Sequence, residues 1–185
     1  MSDYVLSCCS TADLTKEQFE ERNIKYVCFH FALNDAEYLD DLGASVPFEE
    51  FYAKMSEGVD TRTSQVNISE YVDYFTGILE QGKDIVHITL SSGLSGTINS
   101  ARNAALIAME RYPERHIYIV DSLGASSGYG FLVCAAADKR DEGLGAEELV
   151  AWIEENRLKL HHWFFSTDLS SYVRGGRISK TAAVF

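Results

Sequence analysis

Apolar positions along the chain fall into short continuous runs separated by longer stretches of helical spacing. Tyr4–Ser7, Ile24–Leu33, Asp84–Leu90 and His116–Val120 are short runs rich in Val, Ile, Leu, Phe and Tyr, and they read as four successive strands. After the first, Thr15 stands three residues before Gln18, the spacing of a capping box that opens a helix. Pro47 falls in the first turn of "PFEEFYAKMSEG", where Phe48, Phe51, Tyr52 and Met55 recur at helical spacing ahead of Gly58. Ser69 opens the next helix, with Tyr71, Tyr74, Phe75 and Ile78 on one face and Gly82 near its end. In "SGTINSARNAALIAMERY", Ile98, Ala101, Ala104, Ala105 and Ala108 form a further apolar stripe. Two more helices are predicted over Gly128–Asp141 and Ala146–Leu160, and "HHWFFST", His161–Thr167, reads as a fifth strand.

Strands that alternate with helices predict an α/β fold, a mostly parallel sheet with helices on both faces. At 185 residues there is room for one ordinary domain, and no internal repeat is visible. The pattern places the α/β domain over residues 1–167. Residues 168–185 differ: they carry adjacent glycines and reach Phe185 without a finished element, so the chain is expected to be cut before its natural end.

Composition narrows the function classes. Hydrophobic residues make up 46% and charged residues 24% of the chain, as in a soluble globular protein. The 16 basic and 28 acidic side chains give a net charge of −12, which disfavours nucleic acid and anionic membranes as partners. No apolar run approaches the ~20 residues of a membrane span, and no signal-like segment follows Met1, so a cytoplasmic location without stable membrane insertion is expected. Cys8, Cys9, Cys28 and Cys134 lack C-x-x-C spacing and read as reduced thiols, with no metal site.

Candidate chemistry lies in loops of small hydroxyl residues. "SSGLSGT", Ser91–Thr97, joins the third strand to a helix N-terminus. Ligands of open α/β sheets bind at such strand ends, where free N–H groups accept an anion without a cationic side chain. The letters exclude a P-loop, which needs G-x-x-x-x-G-K-[ST]. "GYGFLV" fails the dinucleotide pattern at Val133, and "GLSGT" places Thr97 where a nucleophile elbow needs glycine. A small serine esterase using Ser95, with its base drawn from His87, His116, His161 or His162, stays open at this stage, as does a binder of a phosphorylated metabolite. "TRTSQVN", Thr61–Asn67, reads as a second hydroxyl-rich loop, and Asp121-Ser122 with "GASSGYG" as a third on the same edge. Phe29, Phe31, Phe75, Ile88 and Leu94 are candidates for core or for a ligand-tunnel wall.

Taken in order, "STADL" at Ser10–Leu14, "TSQ" at Thr63–Gln65, "SSGLSGT", "DS" at Asp121–Ser122 and "GGRIS" at Gly175–Ser179 resemble the motifs of the DegV family, which includes the fatty-acid-binding subunits of bacterial fatty acid kinase. The resemblance covers nearly the whole chain and implies that the GGRIS segment, within residues 168–185, leads into a second lobe that this chain lacks. It implies a non-enzymatic carrier without a cofactor, which holds one long-chain fatty acid in an apolar tunnel and presents it to a partner fatty acid kinase, the acyl phosphate then feeding phospholipid synthesis. It assigns Thr63 and Ser95 to the carboxylate, and places Arg177 near the carboxylate end with a role toward the kinase. Where the family usually has an acidic residue in its first motif this sequence has Cys9, expected to be an inert packed thiol.

Overall fold

The computed structural model describes residues 4–167 and 169–182. Strand β1 (Tyr4–Cys9) forms the centre of a four-stranded sheet together with β6 (Asp84–Thr89); β2 (Lys25–Val27) and β7 (Ile117–Asp121) are its edges, in the order β2-β1-β6-β7. All three pairings are parallel, with Leu6 opposite Val86 and Ile88 opposite Val120. The period of two along a strand sends alternate side chains to opposite faces. Leu6, Cys8, Val86, Ile88 and Val120 pack with α1 (Lys16–Glu21), α5 (Ser126–Asp141) and α6 (Ala146–Asn156). Cys9, Ile85 and Ile117 pack on the other face with α3 (Ile68–Leu79) and α4 (Thr97–Arg111). Burial on both faces explains why these strands are continuously apolar. The stripe Ala101, Ala104, Ala105, Ala108 is fully within the core, and its short side chains let α4 lie directly against the sheet and α3.

The helix signals resolve in physical detail. Thr15 accepts from the Gln18 N–H and the Gln18 side chain accepts from the Thr15 N–H, so the capping box is formed. Pro47 occupies the N-cap of α2 (Phe48–Ser56), just outside its first turn. The helix read as opening at Ser69 begins at Ile68: Asn67 is its cap, in a reciprocal box with Glu70.

Three expectations are corrected. The run Ile24–Leu33 is not one strand. It breaks after Val27, and β3 (His30–Leu33) joins a separate antiparallel sheet, β4-β3-β5, with β4 (Ala36–Leu39) and β5 (Thr61–Ser64). "TRTSQVN" is therefore not a loop at its start: β5 is an edge strand whose backbone groups pair with β3, and pairing overrides its polar composition. The third correction concerns His161–Thr167, which forms no strand; Trp163, Phe164 and Phe165 are 92%, 83% and 93% exposed. An aromatic run becomes a strand only with a neighbouring strand to take its N–H and C=O groups, and none of the described strands pairs with it. The segment is seated instead by His162, whose ring lies over Gly128; a Cβ there would stand 2.0 Å from its Nδ1. Beyond it, α7 (Ser170–Arg174) and the turn at Gly175-Gly176 deliver Arg177.

Candidate functional site

A cavity of about 810 Å³ opens between the two sheets. Thr63, Ser95 and Arg177 all line it, although they come from β5, the loop after β6 and the segment after α7. The antiparallel sheet makes this possible: Phe31 pairs with Thr63, so one strand supplies an aromatic wall and its neighbour a hydroxyl. Phe29, Phe31, Val46, Phe51, Leu90 and Leu94 supply apolar lining. Phe31 and Leu94 are thus wall residues, Phe29 belongs to both wall and core, and Phe75 and Ile88 belong to the core.

Arg177 Nη1 donates to the Gly175 carbonyl at 2.8 Å, and Nη2 donates to Thr63 Oγ1 at 3.2 Å. The Thr63 oxygen is thereby an acceptor, which leaves its hydrogen for another partner. Ser95 Oγ accepts from the Thr97 N–H at 3.2 Å and donates to Gln65 Oε1 at 3.3 Å. It lies just ahead of the first turn of α4, whose free N–H groups and positive dipole end favour an anion.

The loop after β7 takes a different part from the one its composition indicated. Asp121 and Ser122 do not line the cavity. Asp121 Oδ1 accepts from the Ser92 and Leu123 N–H groups, and the Ser91 N–H donates to the Gly124 carbonyl, so this loop braces "SSGLSGT" from behind. Arg157 Nη1 secures the Asp121 carbonyl in turn, at 2.7 Å.

Beneath the site lies a buried polar network that sequence reasoning missed. Thr97 Oγ1 meets Tyr71 Oη at 3.0 Å, and Tyr71 Oη meets Cys9 Sγ at 3.2 Å. His87 bonds Ser7 Oγ through Nδ1 at 2.8 Å and approaches Cys9 Sγ at 3.8 Å through Nε2. Burial holds the His87 imidazole down at about 3 and pushes the Cys9 thiol up to about 11, so both are neutral near pH 7. Cys9 is therefore a packed, unreactive thiol. The one available signal was the polar His87 and Ser7 inside otherwise apolar strands.

The esterase arrangement does not form. Among the described residues, Ser95 Oγ bonds only Gln65 and the Thr97 N–H, His87 is committed to Ser7 and Cys9, and His30 at the cavity pairs with Glu70 at 2.9 Å. A nucleophilic serine needs a base within hydrogen-bond reach, and here the serine's proton faces an amide. Described groups of three or more His, Cys, Asp or Glu placed to hold a metal ion are absent.

The cavity joins "TSQ", "SSGLSGT" and "GGRIS" in space, and the family model described as "Uncharacterised protein, DegV family" matches residues 9–185. The chain belongs to the DegV family. A DegV domain-containing protein of Clostridium perfringens is 38% identical over 183 residues, 99% of this chain and 63% of that protein. The solved DegV family protein of Thermus thermophilus, described by its fatty acid binding, superposes with a TM-score of 0.80 at 28% identity, over 98% of this chain and 63% of that one. The B3 protein of the Streptococcus pneumoniae fatty acid kinase, solved loaded with linoleic acid, matches in fold with a TM-score of 0.79 at 24% identity, over 100% of this chain and 64% of that one. The chain thus spans about 63% of the length of the DegV relatives it matches. None of its described helices is long and apolar enough to cross a membrane.

Proposed function

We propose that this DegV chain binds one long-chain fatty acid non-covalently in the cytoplasm and presents its carboxyl group to a partner fatty acid kinase. The observation that carries the reading is one cavity lined both by aromatic and aliphatic side chains and by Thr63, Ser95 and Arg177. Its volume lies within the range of ordinary ligand pockets. Burying methylenes contributes roughly 0.8 kcal/mol each, so a tail of about fourteen gains on the order of 10 kcal/mol before the costs of association. A carboxylate at a helix terminus adds only about 0.3–2 kcal/mol. The tail therefore supplies affinity, and the hydroxyls orient the head: Thr63 and Ser95 donate to the carboxylate while Arg177 holds the Thr63 oxygen. The fatty acid binding described for the Thermus relative supports the ligand class.

The test is denaturing extraction of the protein purified from bacteria, followed by mass spectrometry. The expected result is a long-chain fatty acid near one-to-one stoichiometry. Repeated recovery of a phosphorylated metabolite, or of no lipid, overturns the reading.

A further inference from the structure

Gln65 sits where the two halves of the site meet. It follows directly on β5, which carries Thr63, and its side chain reaches across to the loop and helix that carry Ser95. Its Oε1 accepts the Ser95 hydroxyl proton at 3.3 Å, and its Nε2 donates to Ser100 Oγ at 3.1 Å, one turn into α4. The amide lies over Gly96: a Cβ at that position would stand 3.1 Å from Oε1, so a larger residue would press it away from Ser95. Ser95 has a single proton, and in this arrangement Gln65 holds it. A carboxylate that takes that proton leaves Oε1 facing an oxygen with nothing to donate.

We propose that Gln65 is the positioning residue for Ser95, acting as a two-state amide whose half-turn releases the Ser95 proton to an incoming carboxylate. This inference rests on the fatty-acid reading above. After the half-turn, Nε2 donates to Ser95 Oγ and Oε1 accepts from Ser100. A hydroxyl serves as donor or acceptor alike, so Ser100 supports both orientations without loss of a hydrogen bond. The free state stores the proton, and the loaded state passes it to the ligand. The exchange keeps the Gln65–Ser95 and Gln65–Ser100 hydrogen bonds in both states.

The test uses [1-¹³C]palmitate with the wild-type protein, Gln65→Glu, Gln65→Leu, Ser100→Ala, and Gln65→Leu combined with Ser95→Ala, measuring affinity and the carboxylate ¹³C resonance. A glutamate can only accept, so Gln65→Glu holds the Ser95 proton in both states and is expected to bind palmitate about tenfold or more weakly, the scale of one hydrogen bond to a charged group. Gln65→Leu is expected to weaken binding and shift the resonance in the wild-type background, with little further effect once Ser95 is alanine, because the two act as a unit. Ser100→Ala, which removes the amide's second anchor only, is expected to shift the resonance in the same direction by less, and stands in if the Gln65 variants do not fold. Tight palmitate binding by Gln65→Glu, or an equal loss from Gln65→Leu with and without Ser95, overturns the inference alone. Wild-type protein that takes up no palmitate overturns the fatty-acid reading together with it.

Discussion

His87 titration offers a quantitative test of the buried network under the site. The imidazole is fully buried, with Ser7, Cys9 and the rings of Tyr71, Tyr74 and Phe75 as its surroundings, and none of these carries a charge near pH 7. Burial therefore holds its folded-state pKa at about 3, whereas an unfolded histidine titrates near ~6.5. Between those values the unfolded chain binds one proton that the folded chain refuses. The stability linked to this group is complete above pH ~6.5 and falls by about 1.4 kcal/mol per pH unit as the pH drops toward the folded value. Going from pH 7 to pH 5 thus removes about 2 kcal/mol, a large share of the roughly 5–15 kcal/mol of a typical domain. In His87→Asn, the amide stands near the position of Nδ1 against Ser7 and does not titrate. The variant is less stable at pH 7, but its further loss on going to pH 5 is expected to be smaller by about 2 kcal/mol. Surface carboxylates act on both proteins alike and cancel in the comparison. The assay is urea unfolding at the two pH values, read by far-UV circular dichroism with linear extrapolation. Equal pH slopes in the two proteins would refute the argument, since they would mean that His87 takes up its proton inside the fold.

The site carries two further predictions. Thr63→Val and Ser95→Ala each remove a hydroxyl with little change in apolar volume and are expected to cost roughly 1–3 kcal/mol of affinity for a labelled fatty acid; the double variant still retains detectable lipid, and full affinity in both single variants would show that the carboxylate lies elsewhere. Arg177→Ala is expected to leave lipid content largely intact while strongly reducing acyl-phosphate formation by the cognate kinase, both measured on one preparation. Equal loss of lipid and phosphorylation would make Arg177 a binding residue acting through its bond to Thr63.

Local signals carried most of the fold. The capping box at Thr15 and Gln18 and the alanine stripe of α4 are set by residues a few positions apart, and the runs of β1, β6 and β7 are legible because burial on both faces leaves a continuous apolar stretch whatever the partner strand. What failed depended on partners distant in sequence. Nothing inside Ile24–Leu33 says that Val27 pairs with Cys9 while His30 pairs with Ser64, because both sheets accept the same apolar residues. Thr61–Ser64 owes its strand to β3, thirty residues earlier, and His161–Thr167 has the composition of a strand without a described partner. For the site, Thr63 and Ser95 were visible as hydroxyls in two small-residue segments, the first read as a loop, with their role toward a carboxylate implied by the family resemblance. The amide of Gln65 on Gly96 and the Tyr71–Cys9 contact were not, since each joins residues far apart through one side-chain geometry.

That division has a physical reason in the electrostatics of the molecule. A chain with a net charge of −12 works against any anion it binds. The cavity even includes Asp13 and Asp40 in its lining, and burial pushes the Asp40 carboxyl above its ordinary range, with the Ser10 hydroxyl in partial opposition. Strong cationic attraction would show as a basic cluster and would be legible in composition. Beside the cation Arg177, the site offers neutral hydroxyls held in place: the Thr63 oxygen is taken by Arg177 and the Ser95 oxygen by the Thr97 N–H. Each of these hydroxyls has an acceptor side occupied in advance, which leaves the Thr63 proton for a ligand, whereas the Ser95 proton is held by Gln65 Oε1 until a ligand takes it. Such preorganisation depends on tertiary contacts and leaves almost no trace in residue counts. In the fatty-acid reading it also limits what the head group contributes, and the apolar wall of Phe29, Phe31, Phe51 and Leu94 would supply the larger part of the binding free energy.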